Sequence, residues 1–279
     1  MRFFLWSSFC VLTTVVITTA CSKNLFIGFT DYSTDDALYS QAMTYLNSKN
    51  WDKAIAELQK TTSTFQARRQ TRYIFASAYA GKCGLDTIAL INEFDDIGST
   101  RLFPFLLNIY KSGGATELTA CKSAETQLRS ISDNPTLRSA GENLLMVLIE
   151  FAKIGTIFAK NPVDADNNGT MDTFNGTAHC STTNMIVDAD ANELITGLSQ
   201  VILSLPYAGT TFGQTQLNFL TGACTALAGS PDPTYNFCGV INTTDVVANQ
   251  RKGVRTLFGS NQGVGLGNCN GDLTTCLCP

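Results

Sequence analysis

The chain has 279 residues, of which 44% are hydrophobic and 15% are charged, and its formal net charge at pH 7 is −4. This apolar content supports a packed core, in one large domain or two modest ones, and excludes a disordered polymer. The negative net charge offers no electrostatic footprint for nucleic acid, whose binding relies on lysine and arginine to neutralise phosphates. Nucleic acid is therefore not an expected partner.

The first twenty residues have the pattern of an export signal. Arg2 supplies the positive charge, residues 3–19 form an apolar, threonine-rich run, and Ala20 is the small residue that a signal peptidase needs. The run is short for a membrane-spanning helix, which requires about 20 apolar residues. We therefore predict a signal peptide over residues 1–20.

The next residues, Cys21-Ser22-Lys23, resemble the processing site of bacterial lipoproteins, although Thr18 stands where that site usually has leucine. The resemblance implies that Cys21 is lipidated and that residues 21–34 tether the protein to a membrane. In that family a serine after the cysteine implies the outer membrane of a Gram-negative cell, facing the periplasm. A secreted or cell-surface protein and an uncleaved N-terminal anchor are the alternatives.

Ten cysteines are present, and two of them, Cys10 and Cys21, belong to the signal and the lipidation site. Eight remain, and an exported protein meets an oxidising compartment, so we predict disulfides. These eight are Cys83, Cys121, Cys180, Cys224, Cys238, Cys269, Cys276 and Cys278. Only the first two precede residue 179, which predicts a Cys83–Cys121 disulfide; the remaining pairings stay open.

Apolar residues recur at helical spacing on both sides of a polar break at residues 47–50, which predicts an antiparallel helical hairpin. Thr34 and Asp35 are the N-cap candidates. The apolar positions are Leu38, Ala42 and Tyr45, then Trp51, Ala54 and Leu58. This set resembles the tetratricopeptide repeat, in which small residues let two helices approach and aromatic residues fill the space between them. Thr61 departs from the repeat, which usually has alanine there, and an ordinary hairpin is the alternative.

Weaker helical patterns continue the array. Residues 75–94 fit a second unit with a turn at residues 81–84, and the apolar positions of its second helix are Ile88, Leu90, Ile91 and Phe94. Residues 102–110 and 117–131 suggest a third unit. Repeat proteins need about three stacked units for stability. We predict a tetratricopeptide-like helical domain over residues 35–160.

The longest periodic segment begins at Asn134-Pro135, a strong helix start, and runs to Lys160. Three charges interrupt its apolar surface and argue against a membrane span, so we predict a central core helix. Those charges are Glu142, Glu150 and Lys153.

Further helices are predicted over residues 187–205, 210–227 and 243–258, the last with Thr243 or Thr244 as its cap. No β pattern of useful length appears after the signal. The predicted fold class is all-α: hairpins packed on the central helix, then a cysteine-rich helical half over residues 187–279 that packs on the first.

Residues 161–186 contain a stretch in which oxygen ligands alternate as a Ca²⁺ ion requires. It resembles an EF-hand loop, with Gly169 at the sharp turn. We predict a structural Ca²⁺ whose ligands are Asp164, Asp166, Asn168, Thr170 and Asp172. Asn175 stands where the EF-hand has a bidentate glutamate, which weakens the expected affinity. An Asx turn without an ion is the alternative.

Other chemistry-bearing residues have simpler interpretations. Asp188 and Asp190 start a second copy of the calcium pattern, but Glu193 replaces its glycine, so we interpret them as a helix cap. His179 is the only histidine, and no G-x-S-x-G motif accompanies it. Zinc binding by His179 with Cys269, Cys276 and Cys278 is possible in principle, but the spacing is not a recognised zinc ribbon. We therefore assign no catalytic residue.

The expected function is non-enzymatic: an envelope lipoprotein that binds a protein or peptide on the concave surface of the helical array. This expectation comes from the repeat resemblance, by analogy of fold. The alternative is a small-ligand-binding accessory component of a transport or envelope assembly, and a hydrolytic enzyme ranks third. A groove lined by aromatic residues and by Arg68, Arg69 and Arg72 favours peptide binding, whereas a closed apolar pocket favours a small ligand.

Overall fold

The computed structural model describes residues 33–95, 101–161, 163, 178–183, 185–209, 214–260, 264–266 and 273–279. Within these ranges the chain folds into eleven α-helices joined by turns and short 3₁₀ segments, with no β-strand. The all-α prediction is confirmed. In the same ranges no single helix is long and apolar enough to span a membrane.

The helices are α1 (Asp35–Asn47), α2 (Trp51–Lys60), α3 (Ser63–Gln66), α4 (Arg69–Lys82), α5 (Thr87–Asp95), α6 (Leu102–Tyr110), α7 (Ala115–Arg129), α8 (Ala140–Lys160), α9 (Asp188–Ser204), α10 (Gln214–Ala228) and α11 (Ala248–Gly259). Most of them form a stacked array in which α1, α2, α4, α7, α8, α9 and α11 each pack against the next. Helix α6 covers a further side of α8, which makes α8 the centre of the core.

The predicted α1–α2 hairpin is confirmed. The Thr34 side chain accepts a hydrogen bond from the Ala37 N–H and caps α1, as the sequence indicated. Asp35 in the first turn accepts hydrogen bonds from both the backbone and the hydroxyl of Thr62, which tie the far end of α2 to the start of α1. Ala42 and Ala54 are fully buried between the helices, so their small size permits the close approach.

Helix α4 has α7, not α5, as its main partner. The chain bends by 67° between α4 and the first part of α5 (Thr87–Glu93), too little to form an antiparallel hairpin. Instead, α4 packs along α7, and the predicted disulfide between Cys83 and Cys121 joins these two helices. The second helical unit therefore combines segments that are not adjacent in sequence.

Helix α8 starts later than predicted. Asn134 does act as a cap, but only for a 3₁₀ turn, Pro135–Leu137. Arg138 is then extended, and Ser139 caps α8 in a capping box with Glu142. Every residue from position 145 to position 158 is buried, so the predicted central core helix is confirmed.

The cysteine-rich half is also helical, with differences at the helix starts. Val187 is the N-cap of α9, and Asp188 and Asp190 lie in its first turn. Residues 243–245 form a separate 3₁₀ turn, and α11 begins only at Ala248. In both cases the residue before the helix, Val187 or Val247, has an extended backbone conformation, so the helix begins only at the next residue. The polar side chains nearby make tertiary contacts.

Candidate functional site

An apolar groove lies where the α1–α2 turn, α4, the start of α5 and the start of α8 meet. Its volume is about 550 Å³, within the range of about 300–1,000 Å³ that is typical of ligand sites. The lining residues are mainly apolar and include Leu46, Trp51, Tyr73, Leu85, Ile88, Gly141, Leu144, Leu145 and Leu148. The groove is therefore a place where apolar groups of a partner can be buried.

Helix α8 supplies one wall of the groove through residues spaced three and four apart. Leu144, Leu145 and Leu148 lie on one face because that spacing matches the helical repeat. Gly141 is one turn earlier on the same face, and a Cβ atom built there meets nothing within 4 Å. The wall formed by α8 therefore ends beside open space at Gly141, and a larger side chain at position 141 would fill that space.

Trp51 at the start of α2 supplies a further part of the lining. Its indole lies directly against Gly81 of α4, because a Cβ atom at position 81 would be only 2.6 Å from the ring atoms Cδ2 and Cε2. Gly81 therefore lets the aromatic ring pack on the helix backbone. This contact fixes the width of the groove between α2 and α4.

The charges at the rim are paired with one another. Lys49 Nζ lies 3.1 Å from Asp86 Oδ2, and Lys82 Nζ lies 2.5 Å from Asp52 Oδ1. A backbone hydrogen bond from Ala89 and a side-chain hydrogen bond from Lys49 lower the pKa of Asp86. These pairs leave the rim near neutral, so the groove has no strong preference for a charged partner.

Ile88 on α5 extends the apolar surface outward. Its side chain is 74% exposed, the largest value among the exposed hydrophobic residues of the described chain. The sequence pattern placed Ile88 on the buried face of a second helix, but α5 does not fold back onto α4. Its neighbour Leu90 is buried as expected.

The three arginines that were peptide-binding candidates do not line this groove. The Arg68 guanidinium lies over the Phe65 ring, 4.3 Å from its centroid. Arg69 donates to both carboxylate oxygens of Glu142, and Arg72 donates to the hydroxyl of Ser130. Of the three, only Arg69 forms an ion pair with a described residue, whereas Arg68 contacts an aromatic ring and Arg72 a hydroxyl.

A second notable feature is a charge cluster buried between α7, α8 and α9. Lys153 is fully buried, and its Nζ atom lies 2.6 Å from Glu125 Oε2, 2.7 Å from Glu150 Oε2 and 3.8 Å from Glu193 Oε2. Burial lowers the pKa of Lys153, but attraction to the three carboxylates outweighs burial and the pKa is raised. Each of the three helices contributes at least one member, so the cluster ties the centre of the array together.

Glu150 is the least satisfied member of this cluster. Burial, together with repulsion from Glu125, raises its pKa to about 8, despite the attraction of Lys153. Its Oε2 atom lies within ion-pair distance of Lys153, yet neither oxygen takes part in a well-aligned hydrogen bond with the described residues. Arg138 Nε and Nη1 and Gln200 Nε2, on the same α8–α9 side, also have no hydrogen-bond partner there.

The predicted disulfides agree with the structure wherever it describes them. Besides Cys83–Cys121, disulfides join Cys180 to Cys278 and Cys224 to Cys238. Cys276 is also disulfide-bonded, to a partner outside the described residues. Cys269, the lipidation site Cys21 and the calcium ligands Asp164, Asp166, Asn168, Thr170 and Asp172 lie outside the described residues.

His179 lies beside the Cys180–Cys278 disulfide, and these three residues are the cluster of metal-ligand types within the described chain. Because the two sulfurs are bonded to each other, they are not thiolate ligands for zinc. Burial lowers the pKa of His179, and its ring packs against Gly259. Position 259 accepts no side chain, because a Cβ atom there would be 2.2 Å from the ring.

The acidic residues at the start of α9 act as tertiary anchors. Asp188 accepts a hydrogen bond from Arg255 of α11 at 2.6 Å, and Asp190 accepts hydrogen bonds from Lys160 at the end of α8. Val187, and neither Asp188 nor Asp190, is the N-cap of α9, but both carboxylates lie in its first turn, where the sequence predicted favourable negative charge. Their carboxylates hold α8, α9 and α11 in register.

Sequence reasoning missed the groove and the role of the buried charges. The sequence did contain a signal for the buried charges, because Glu150 and Lys153 interrupt an otherwise apolar helix. Their partners come from other helices, and so the pattern along α8 showed only that the charges existed. The groove depends on the position of α5, which local periodicity does not encode.

Comparisons with protein-family models, with curated proteins and with solved structures found no match. The resemblance to tetratricopeptide repeats and to bacterial lipoproteins therefore stays a prediction from sequence.

Proposed function

We propose that this protein is a non-enzymatic binding protein that holds an apolar segment of a protein or peptide partner in the groove between α1, α2, α4, α5 and α8. The observation that carries the proposal is the apolar lining, to which Trp51, Leu144 and Leu148 belong and which includes the exposed Ile88. Burying such a surface against an apolar partner is favourable in proportion to the area removed from water.

A peptide or protein suits the groove better than an enclosed small molecule. Sites for small ligands bury most of the ligand surface. Here one side is bordered by exposed residues, among them Lys49, Gly84 and Ile88. A segment of chain can lie along such an open groove and continue past both ends.

A hydrolytic function has weaker support. The carboxyl group with the most strongly raised pKa, Glu150, is the natural candidate for acid–base chemistry. Glu150 and Lys153 have no exposed surface, however, and they face away from the groove. A substrate in the groove does not reach them.

The proposal places the protein in the bacterial envelope, anchored to the outer membrane through a lipid on Cys21 and exposed to the periplasm, with a secreted or cell-surface form as the alternative. It also includes a structural Ca²⁺ bound by residues 164–172. Asp164→Ala tests the second point, because thermal unfolding should occur at a higher temperature with Ca²⁺ only in the wild type. A melting temperature that Ca²⁺ leaves unchanged in the wild type would refute the calcium proposal.

Peptide selection followed by a spectroscopic readout tests the binding function. The chain has two tryptophans, Trp6 and Trp51. Trp6 lies in the predicted signal peptide, so protein that begins after residue 20 has Trp51 as its only tryptophan reporter, and Trp51 lines the groove. Random peptides selected on the immobilised protein are titrated against it while Trp51 emission is recorded. We expect peptides with an apolar centre to change the emission, with little dependence on salt because the rim charges are paired.

Two outcomes contradict the proposal. One is the recovery of no peptide above background, and the other is the recovery of peptides that bind without changing Trp51 emission. Binding of the dye 8-anilinonaphthalene-1-sulfonate with energy transfer from Trp51, when no peptide binds, favours the alternative of a small apolar ligand.

A further inference from the structure

The buried charge cluster contains more carboxylates than cations. Its inner part consists of Lys153, Glu150, Glu125 from α7 and Glu193 from α9. In this inner part three carboxylates surround one ammonium group, and Glu150 and Lys153 have no exposed surface. A buried negative charge without a compensating partner is unfavourable, and uptake of a proton is the usual relief.

The positions of the surrounding cations determine which of the three carboxylates is least compensated and therefore takes up the proton. Lys122 lies 2.7 Å from Glu193, and Arg129 lies 3.6 Å from Glu125, so each of these glutamates has a second cation on its outer side. Among the described residues, Glu150 has only Lys153 in ion-pair contact, and the more distant Arg138 and Arg129 also attract it. Glu150 is therefore the carboxyl group with the least compensation.

The packing around Glu150 leaves it no way to reach solvent. A Cβ atom at Gly197 of α9 would be 2.9 Å from Glu150 Oε2, which shows that the backbone of α9 covers the carboxyl group directly. Gly197 permits this close contact between α8 and α9. A negative charge on Glu150 therefore lies directly at the interface between α8 and α9.

We propose that the cluster binds one exchangeable proton on Glu150, and that release of this proton weakens the packing of α9 on α8. The protein then has a tighter core in mildly acidic solution than in mildly alkaline solution. This proton site is independent of the proposed groove function, because Glu150 lies on the side of α8 opposite to the groove residues.

The direction of the effect follows from linkage. The pKa of Glu150 is raised to about 8 in the folded protein, from its ordinary value of 4.5. Between these two values the folded chain holds a proton that the unfolded chain has lost, so the contribution to stability is complete below pH 4.5 and declines until pH 8. One such proton changes the folding equilibrium constant by about tenfold per pH unit in that window.

Infrared spectroscopy of the wild type tests the proposal without relying on a variant that folds. The carbonyl band of a protonated carboxylic acid should be present at pH 6 and disappear as the pH rises through about 8. On urea unfolding at pH 6.5, Glu150 should release about one proton per chain because the exposed glutamate ionises, while His179, whose pKa burial lowers, takes up about half a proton. Absence of the band at pH 6 would overturn the proposal.

Two variants assign the proton to its residue. Glu150→Gln keeps the shape and removes the ionisation, so it should lose both the band and the extra proton release. Glu57→Gln on α2, whose carboxylate pairs with Lys60 at the surface, is the matched control and should retain both. A band that persists in Glu150→Gln would show that another carboxyl group holds the proton, and this too would overturn the assignment.

Discussion

Trp51 packs flat against Gly81, so closely that a methyl group at position 81 would be 2.6 Å from the indole ring. This contact joins α2 to α4 and sets one wall of the groove. Gly81→Ala should lower the free energy of unfolding by about 1–3 kcal/mol, since the ring must move or the helices must separate. Urea denaturation monitored by circular dichroism measures the change.

Gly222→Ala is the control for that experiment. Gly222 lies within α10, and a Cβ atom there meets nothing within 4 Å. Alanine is favoured over glycine in an open helical position by about 0.5–1 kcal/mol, so this variant should be unchanged or slightly more stable. Equal behaviour of the two variants would mean that the Trp51–Gly81 contact does not constrain the fold.

The Cys83–Cys121 disulfide should make a large contribution to stability. It joins α4 to α7 across 38 residues of sequence, for which chain entropy predicts about 3–4 kcal/mol. The double variant Cys83→Ala/Cys121→Ala avoids a leftover thiol and should unfold at a clearly lower temperature in calorimetry. The equivalent change at Cys224 and Cys238, which are 14 residues apart, should cost less. A larger loss of stability in the Cys224/Cys238 variant than in the Cys83/Cys121 variant would contradict this prediction.

Removal of Lys153 should be severe, because it leaves buried carboxylates without their shared cation. Lys153→Met is expected to destabilise the protein by about 3–5 kcal/mol at pH 9, above the folded pKa of Glu150, where that carboxylate is charged. Adding Glu150→Gln should recover part of this loss, because one of the stranded carboxylates is then neutral. Chemical denaturation of both single variants and of the double variant gives the coupling free energy between Lys153 and Glu150. Strict additivity would show that the two side chains do not interact.

The pair formed by Arg69 and Glu142 should make stability depend on pH at the acidic end. Burial opposes ionisation of Glu142, but hydrogen bonds from Arg69 and Ser139 prevail and lower its pKa. The contribution is present above the unfolded pKa and is lost as the pH falls through the folded pKa. Arg69→Met should reduce stability at pH 7 only modestly, because Arg69 is half exposed and solvent screens the pair. The loss of stability caused by Arg69→Met should become smaller below pH 4. A loss of the same size at every pH would contradict this prediction.

Local signals predicted much of the fold. The cap at Thr34, the hairpin break at residues 47–50 and the Cys83–Cys121 pair depend on neighbouring residues or on cysteine order, and all are present. The start of α8 was misplaced because Asn134 and Ser139 are both good caps, and only the extended Arg138 between them decides.

The candidate site was harder to predict because its parts are brought together by tertiary packing. Nothing near Glu150 in sequence shows that α7 and α9 place two further carboxylates around Lys153. Ile88 has the pattern of a buried residue, yet it is exposed because α5 leaves α4 at 67°. Periodicity specifies which face of a helix is apolar, and it does not specify what covers that face.

The most direct test of the binding groove compares Gly141→Phe with Gly222→Phe. Both glycines are exposed helical positions with open space at Cβ, so both variants should fold with stability within about 1 kcal/mol of the wild type. Only residue 141 lines the groove. A groove-selected peptide should bind Gly222→Phe like the wild type and lose about tenfold or more in affinity for Gly141→Phe, equivalent to about 1.4 kcal/mol. Equal affinity for the two variants in calorimetric titration would contradict the proposed function.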